Sequence, residues 1–227
     1  MFFCLRLQLP IFLLTMMLCR MAPAQEAVVF DTSKLPQEGH SLADFTPHGW
    51  LVADRADGDL NADGISDKAA ILVQQSSRAE QHENLVESQR VLLVLISGKK
   101  GKLLLGGSQP DLLQCLHCGG VKESVGIEIK KGILIVSQLT GSREFTDQTW
   151  RFRYDPKTRR FMLIGKDVTY GDGALGTGDK ESFNFLTGLK IRESYRYDQK
   201  RDREITLSSK KEKIPQRTSF LEEVKMD

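Results

Sequence analysis

The feature that most constrains the fold is a series of short apolar segments that return on themselves after glycine turns. Residues 91–96 (VLLVLI) are a continuous apolar run, and residues 98–101 (GKKG) separate them from residues 102–105 (KLLL). Residues 127–130 and 133–139 flank a second glycine turn in the same way. Segments of this length, bounded by turn residues, are typical of antiparallel hairpins. The chain is therefore predicted to consist of hairpins rather than helices.

A third hairpin and one further strand extend this pattern. Residues 150–154 (WRFRY) alternate aromatic residues with arginines, which predicts one buried and one solvated face. Residues 155–158 (DPKT) supply a turn in which the fixed φ of proline fits, and residues 160–167 run back. Residues 67–74 (DKAAILVQ) precede the hairpins as another strand. Together these segments predict an all-β domain, an antiparallel meander of hairpins.

The remaining segments are less regular in sequence. We predict an irregular lead-in over residues 25–47, a β domain over residues 48–190, and a charged C-terminal hairpin and tail over residues 191–227. Residues 76–88 are polar enough to form either a helix or a long solvated loop. Residues 171–179 (GDGALGTGD) are predicted to form a glycine-rich loop.

The first 24 residues have the layout of a secretory signal peptide. Arg6 gives a charged start, residues 9–18 are almost wholly apolar, and residues 22–24 (APA) offer small side chains before a cleavage point. The apolar run is shorter than the ~20 residues that a membrane-spanning helix needs. Lipid anchoring through Cys19 is an alternative, although the preceding leucine is not the small residue that lipoprotein processing prefers. The sequence thus predicts an exported protein.

The charge balance gives no sign of a nucleic-acid partner. The chain has 32 Lys and Arg residues against 30 Asp and Glu residues. Cleavage after residue 24 would remove Arg6 and Arg20 and no acidic residue, so the mature chain would be formally neutral. A basic footprint of the kind that binds phosphate backbones is therefore not expected.

An acidic loop at residues 59–67 (DLNADGISD) carries oxygen-bearing side chains at alternate positions. Asp59, Asn61, Asp63 and Asp67 occupy relative positions 1, 3, 5 and 9, a glycine occupies position 6, and Ile65 at position 7 can offer its carbonyl oxygen. Calcium is a hard cation that takes about 6–8 oxygen ligands, and short acidic side chains in a tight turn supply them. These five residues are therefore predicted to bind one calcium ion.

The surroundings of the loop favour a structural ion. Ala70 occupies position 12, where a helix–loop–helix sensor has a bidentate glutamate, so a sensor is not expected. An apolar strand follows, which places the loop at the entry to a sheet. A solvated acidic turn is the alternative, because Asp, Asn and Gly also populate turns for local hydrogen-bonding reasons.

Cys115 and Cys118 are the cysteines that remain after the predicted cleavage. In an oxidising compartment their two-residue spacing, followed by two glycines, predicts a local disulfide that closes a turn. Free thiols, a thioredoxin-like redox site and a zinc site that uses His117 are the alternatives. The redox motif needs a strand before the pair and a helix after it, and the zinc site lacks a fourth ligand at the usual spacing.

Two resemblances add to this interpretation. Residues 58–73 are similar to the calcium loop of FG-GAP repeats in β-propellers such as integrin heads. A wider set of motifs resembles a large family of exported bacterial proteins, which includes the periplasmic immunity protein against a lysozyme-like effector of a bacteria-killing type IV secretion system. Besides the calcium loop, the motifs that carry it are residues 48–50 (HGW), 90–95 (RVLLVL), 118–121 (CGGV), 127–132 (IEIKKG), 140–142 (TGS), 150–154 (WRFRY), 163–165 (LIG) and 184–188 (NFLTG).

The wider resemblance implies a β-propeller-like domain with one bound calcium ion that blocks a lysozyme-type peptidoglycan hydrolase. Lysozyme inhibitors plug the enzyme cleft with a loop that carries a serine and a nearby tyrosine, and Ser142 and Tyr170 are the nearest equivalents by type. Arg143 is a third partner-binding candidate, because a guanidinium can grip a carboxylate in an acidic cleft. The chain departs from the family at residues 140–145, where members often have Gly-Gly-Ser and a tryptophan-rich turn. Ordinary turn and strand-end residues are the alternative for Ser142 and Tyr170.

The sequence offers no catalytic motif. None of the four histidines falls in a recognisable metal or triad pattern. Ser142 lacks the nucleophile elbow, and residues 171–179 lack the Lys-Ser/Thr ending of a phosphate loop. A catalytic pair of carboxylates that meet only in the folded protein remains an alternative, because sequence spacing does not reveal such a pair. The chain is predicted not to be an enzyme but a calcium-stabilised periplasmic inhibitor, with a structural or adhesion-like calcium-stabilised module as the alternative.

Overall fold

The computed structural model describes residues 30–75 and 88–226. The predicted signal peptide and the segment 76–87 lie outside the described residues. Within the described ranges the only helices are short 3₁₀ segments, and none is long and apolar enough to cross a membrane. The strands are β1 Glu38–Gly39, β2 Trp50–Gly58, β3 Asp67–Gln74, β4 Arg90–Ser97, β5 Leu103–Gln109, β6 Ser124–Lys130, β7 Ile133–Gly141, β8 Glu144–Asp155, β9 Arg160–Asp172, β10 Thr177–Asn184, β11 Leu189–Asp198 and β12 Arg203–Lys213.

The strands form two antiparallel sheets. The first has five strands in the order β1-β5-β4-β3-β2, and the second has seven in the order β12-β11-β10-β9-β8-β7-β6. In the second sheet each strand pairs with its neighbours in sequence, so it is an uninterrupted meander. The predicted all-β antiparallel class is confirmed. The predicted hairpins are divided between the sheets, because β4–β5 belongs to the first and β6–β9 to the second.

The central strands of the first sheet are buried on both faces, which explains their apolar sequence. Every residue of β4 is buried. Leu92 and Val94 enter the apolar cluster between the two sheets. Leu93 and Leu95 belong to a second cluster on the opposite face, beneath the lead-in segment. A strand with two buried faces has no solvated positions, so it appears in sequence as a continuous apolar run.

The lead-in is more ordered than the sequence predicts. Thr32–Lys34 and Leu42–Phe45 form 3₁₀ segments, and β1 pairs with β5. Phe30, Leu35 and Phe45 are buried against the first sheet. Full burial of a side chain such as Phe45 stabilises the fold by about 1.5–3 kcal/mol. The lead-in therefore covers a sheet face that would otherwise be an exposed apolar patch.

Only part of the inner face of the second sheet is buried in the core. Trp150, Phe152 and Phe161 from β8 and β9 are fully buried between the sheets. In β10, β11 and β12 the residues are exposed or half-buried, except for Tyr195. The predicted C-terminal hairpin corresponds to β11 and β12. The segment after it packs against the domain, because Leu221 is fully buried in the same core.

The predicted glycine-rich loop at residues 171–179 is mostly strand. Gly171 lies in β9 and pairs with Gly178 in β10. A Cβ at Gly171 would lie 2.3 Å from Cζ of Phe145, and one at Gly178 would lie 2.8 Å from the ring of Tyr195. Both glycines thus make room for aromatic rings of neighbouring strands. Only residues 173–176 lie outside the strands.

Candidate functional site

The predicted calcium loop joins β2 to β3, and Asp67 fixes its C-terminal end. Asp67 is fully buried at the first position of β3. Its Oδ2 accepts a hydrogen bond from the Leu60 amide (2.8 Å), and its Oδ1 accepts one from the Ser97 amide (2.7 Å). The carboxylate therefore ties the loop to β4 as well as to β3. Burial raises the pKa of Asp67, and the charges of Asp63 and Asp59 raise it further.

The other acidic and amide side chains of the loop accept hydrogen bonds from its own backbone. Asp59 accepts from the amides of Ala62 (2.7 Å) and Gly64 (2.9 Å). Asn61 Oδ1 accepts from the amide of Asp63 (3.0 Å). Asp63 in turn accepts from the amide two residues further on (2.8 Å). Ala62 and Gly64 both have positive φ, 63° and 82°, which gives the loop its tight curvature.

The predicted ligands fit calcium in kind, but their carboxylates do not converge. Within the described residues, no three His, Cys, Asp or Glu side chains form a group that could hold a metal ion. An ionised carboxylate has about four lone-pair sites, so an oxygen that accepts one N–H bond can still coordinate a cation. A bound ion would require Asp59, Asp63 and Asp67 to turn toward a common centre. Ile65, whose carbonyl is the predicted backbone ligand, is an exposed residue of the loop.

The three predicted partner-binding residues lie at one end of the second sheet. Ser142 and Arg143 form the turn between β7 and β8, and Tyr170 lies near the end of β9. The pairing of β8 with β9 brings the end of β9 beside this turn. We use the term "rim" for this end of the sheet, which comprises two neighbouring turns, residues 141–144 and 172–177, and the adjacent Tyr170.

A bidentate ion pair joins the two turns of the rim. Nε and Nη2 of Arg143 donate to the carboxylate of Asp172 at 2.9–3.2 Å. Asp172 also accepts from the amides of Ala174 (2.8 Å) and Leu175 (3.0 Å), and the Gly173 amide donates to the Arg143 carbonyl (2.8 Å). The hydrogen bonds from Arg143 are the main reason that the pKa of Asp172 falls to about 2. No local sequence pattern indicates this pair, because its members are 29 residues apart.

The segment that joins β5 to β6, residues 110–123, lies against the rim, and we call it the cysteine loop. Cys115 and Cys118 form a close pair with Cα atoms 5.3 Å apart, a separation usual for a disulfide. The Gly141 amide donates to the Gly119 carbonyl (2.5 Å), and the Lys122 amide donates to the Gly141 carbonyl (2.9 Å). The turn that the cysteine spacing predicts therefore supports the loop that carries Ser142 and Arg143.

A buried ion pair anchors the cysteine loop. Arg90 Nη2 lies 2.5 Å from Oε1 of Glu123, and both side chains are almost inaccessible. Arg90 also donates to the Gln114 carbonyl (3.1 Å), while Glu123 accepts from the amides of His117 (3.2 Å) and Gly119 (3.1 Å). Burial opposes ionisation of Glu123, but these hydrogen bonds outweigh it and lower its pKa.

Tyr170 lies beside a cavity at the rim. Its side chain is 49% exposed and lines a cavity of about 420 Å³ that extends over Gly171 and Gly178. Phe145 forms part of the lining, and Lys122 Nζ lies 4.6 Å from the centroid of its ring. Of the three predicted partner-binding residues, Tyr170 alone lines this cavity.

Comparison with protein-family models, with curated proteins and with solved structures finds no match to the chain. The functional interpretation therefore rests on the residues and contacts of the chain itself and on the motifs described above.

Proposed function

We propose that the protein is an exported, calcium-stabilised inhibitor of a lysozyme-type peptidoglycan hydrolase. The observation that carries the proposal is the rim, where two turns joined by the Arg143–Asp172 ion pair present the exposed ring of Tyr170. Tyrosine and arginine are enriched among the residues that contribute most to protein interfaces. The chain itself would catalyse no step, and its effect would be to exclude substrate from the enzyme cleft.

The order of the rim supports this role. Gly141 is fixed by backbone hydrogen bonds to the cysteine loop, and Arg143 is fixed by Asp172 on the neighbouring turn. Binding commonly costs about 0.5–1.5 kcal/mol for each side chain that must be immobilised. A turn that is already held in one conformation avoids much of that cost, which suits a wedge that enters a cleft.

Arg143 would have a second role besides the partner contact expected from sequence. Its charge is compensated by Asp172, so it would not meet a partner as a free cation. The contacts with Asp172 use Nε and Nη2, and the side chain is 61% exposed. A guanidinium also carries N–H donors on Nη1, and Asp172 does not accept from these. Arg143 would therefore hold the turn in place and still donate from Nη1 to a carboxylate of the cleft.

The calcium part of the proposal concerns stability rather than partner contact. Three carboxylates in one short loop repel one another, and a bound cation would offset that repulsion. The ligands would be Asp59, Asn61, Asp63, Asp67 and the carbonyl of Ile65. Because Asp67 also contacts β4, such an ion would stabilise the first sheet. This loop is similar to the calcium loop of FG-GAP repeats. That similarity is the ground for comparing the domain with a β-propeller.

Export to the periplasm would place the protein where peptidoglycan hydrolases act. The signal-like residues 1–24 support export. The close pair of Cys115 and Cys118 supports an oxidising compartment, where such pairs persist as disulfides.

A panel of peptidoglycan hydrolases tests the proposal. Lysozyme-type muramidases are assayed on cell-wall suspensions, and amidases that cut at the peptide stem serve as controls. We expect at least one muramidase to lose its activity at near-equimolar protein and the amidases to keep theirs. Full activity of every muramidase at excess protein would overturn the proposal and favour the structural or adhesion-like module.

A further inference from the structure

A groove lies between the second sheet and the C-terminal segment. One wall is the inner face of β8–β10, and the other is residues 217–225. The groove encloses about 430 Å³, and small-molecule sites span about 300–1,000 Å³. We refer to it as the C-terminal groove. Its size suits a ligand of one or two rings.

Aromatic side chains give the groove an apolar lining. Trp150, Tyr170 and Phe183 project from neighbouring strands, and the rings of Phe183 and Phe185 are stacked with centroids 5.9 Å apart. A pyranose ring has an apolar face of C–H groups and a rim of hydroxyl groups. The C–H face packs on the negative face of an aromatic ring, as other weakly positive groups do. Aromatic rings beside polar donors therefore suit a saccharide.

One donor in the lining lacks an acceptor. Trp150 is fully buried, and its Nε1–H has no hydrogen-bond partner, alone among buried side-chain polar atoms of residues 30–75 and 88–226. Native structures rarely leave such a group unsatisfied. Lys166 is also buried, with Nζ 5.6 Å from the centroid of the Trp150 ring. A ligand oxygen that displaces the lining over the indole would supply the acceptor that Nε1 lacks, since this atom is closed off from solvent.

The charges of the groove favour an anion. Arg217 is an exposed member of the lining and forms no ion pair within the described part of the chain. Glu181, in contrast, is paired with Lys190 (2.9 Å) and Arg192 (2.5 Å). Burial opposes ionisation of Glu181, but these two cations outweigh it and lower its pKa. Glu223 is engaged by an ion pair as well. The acidic lining residues are thus compensated, whereas Arg217 is available to a ligand.

We propose that the C-terminal groove binds a saccharide that carries a carboxylate. The pyranose ring packs on Tyr170, the carboxylate meets Arg217, and one ligand oxygen accepts the hydrogen bond of Trp150. This site does not rest on the proposed inhibition of a hydrolase, and its test contains no hydrolase.

Two disaccharides that differ in one carboxylate serve as probes. GlcNAc-β1,4-MurNAc carries a lactyl carboxylate, and chitobiose has the same two rings without it. Binding to the protein is measured by calorimetry and by the NMR shift of the Trp150 indole N–H, which Trp50→Phe assigns because the chain has 2 tryptophans. We expect saturable binding of the acidic disaccharide, about tenfold tighter than that of chitobiose, the effect of about one charge-assisted hydrogen bond.

A matched pair of exposed substitutions locates the site. Arg217→Ala should weaken binding of the acidic disaccharide about tenfold and leave chitobiose unchanged, because it removes the partner of the carboxylate. Lys211→Ala, an exposed change in β12, should alter neither. Equal affinities for the two sugars, no saturable binding of the acidic one, or an equal loss in both variants would overturn the proposal. A Trp150 indole signal that does not move at saturation would overturn it too.

Discussion

The side chain of Asp67 has two structural roles. Its carboxylate satisfies the amides of Leu60 and Ser97, and it brings a third acidic group to the loop. The residue is fully buried, so the two amides depend on its oxygens for a hydrogen-bond acceptor. The sequence identified Asp67 as a possible ligand but could not show the contact with Ser97, because that contact depends on the pairing of β3 with β4.

Replacing Asp67 should expose this role. Asp67→Ala is expected to lower the free energy of unfolding by about 2–6 kcal/mol, because each of the two unsatisfied buried N–H groups costs about 1–3 kcal/mol. Asp67→Asn keeps an acceptor oxygen and should cost less. Urea denaturation of both variants measures the difference. A loss in Asp67→Ala no larger than that in Asp67→Asn would contradict the assigned role.

Asp172 should titrate well below an ordinary aspartate. Its pKa of about 2, against the usual 3.8, reflects the hydrogen bonds from Arg143 and from two backbone amides. Because the folded pKa is the lower one, the ion pair stabilises the fold above about pH 4, and this contribution is lost as the pH falls from about 4 to about 2. NMR titration of the carboxyl carbon measures the midpoint. Arg143→Gln should move it toward 3.8, and a midpoint already near 3.8 in the unchanged protein would contradict the pair.

Several elements owe their position to contacts that are distant in sequence. Arg90 belongs to β4 of the first sheet, whereas Glu123 precedes β6 of the second, so their ion pair links the sheets through the cysteine loop. The same loop contacts the rim at Gly141. The cysteine spacing predicts a turn, but nothing local in the sequence shows which element that turn supports.

The buried ion pair should matter far more than an exposed one. Glu123→Ala leaves the Arg90 guanidinium buried without its partner, which typically destabilises a protein by about 3–5 kcal/mol. Glu38→Ala removes the exposed pair with Lys102 and serves as the matched control, for which little change is expected. Chemical denaturation of the two variants gives the comparison. Similar stabilities of the two variants would contradict the anchoring role of Glu123.

The calcium loop gives a prediction for the elements that it joins. At calcium about tenfold above its Kd, mass action adds about 1.4 kcal/mol to the free energy of unfolding. For a domain of this size that corresponds to a rise in Tm of about 3–6 °C relative to the protein in EGTA. Magnesium at the same concentration and the variant Asp59→Asn are the controls. The same Tm in calcium and in EGTA, with no binding by calorimetry, would contradict the predicted site.

Local sequence patterns predicted the strands well where one face or both faces are buried. The apolar run of β4 and the alternation in β8 each follow directly from the burial that the structure shows. The local sequence pattern predicted loop residues at Gly171 and Gly178, and this prediction was wrong because both lie in strands. Their strand conformation depends on the rings of Phe145 and Tyr195, which come from other strands, so single-segment propensities cannot reveal it.

The division of the hairpins into two sheets is a property of the whole molecule. Each hairpin could be recognised from its own turn, but the edge where one sheet ends and the next begins depends on packing between β2 and β6, which are far apart in sequence. The rim also depends on the whole fold. Ser142, Arg143 and Tyr170 were separate candidates in the sequence, and the meander of β7–β9 brings them to one end. Asp172 and Phe145 also lie at that end, but no sequence motif indicated either residue.

The most direct test of the proposed function compares the two ends of the second sheet. Tyr170→Ala changes the rim, and Lys157→Ala changes the turn between β8 and β9 at the opposite end. Inhibition constants are measured against a muramidase that the unchanged protein inhibits. We expect the constant to rise at least about tenfold for Tyr170→Ala, as for a central interface residue, and to stay within about twofold for Lys157→Ala. An unchanged constant for Tyr170→Ala, or an equal rise in both variants, would contradict the assignment of the rim as the contact surface.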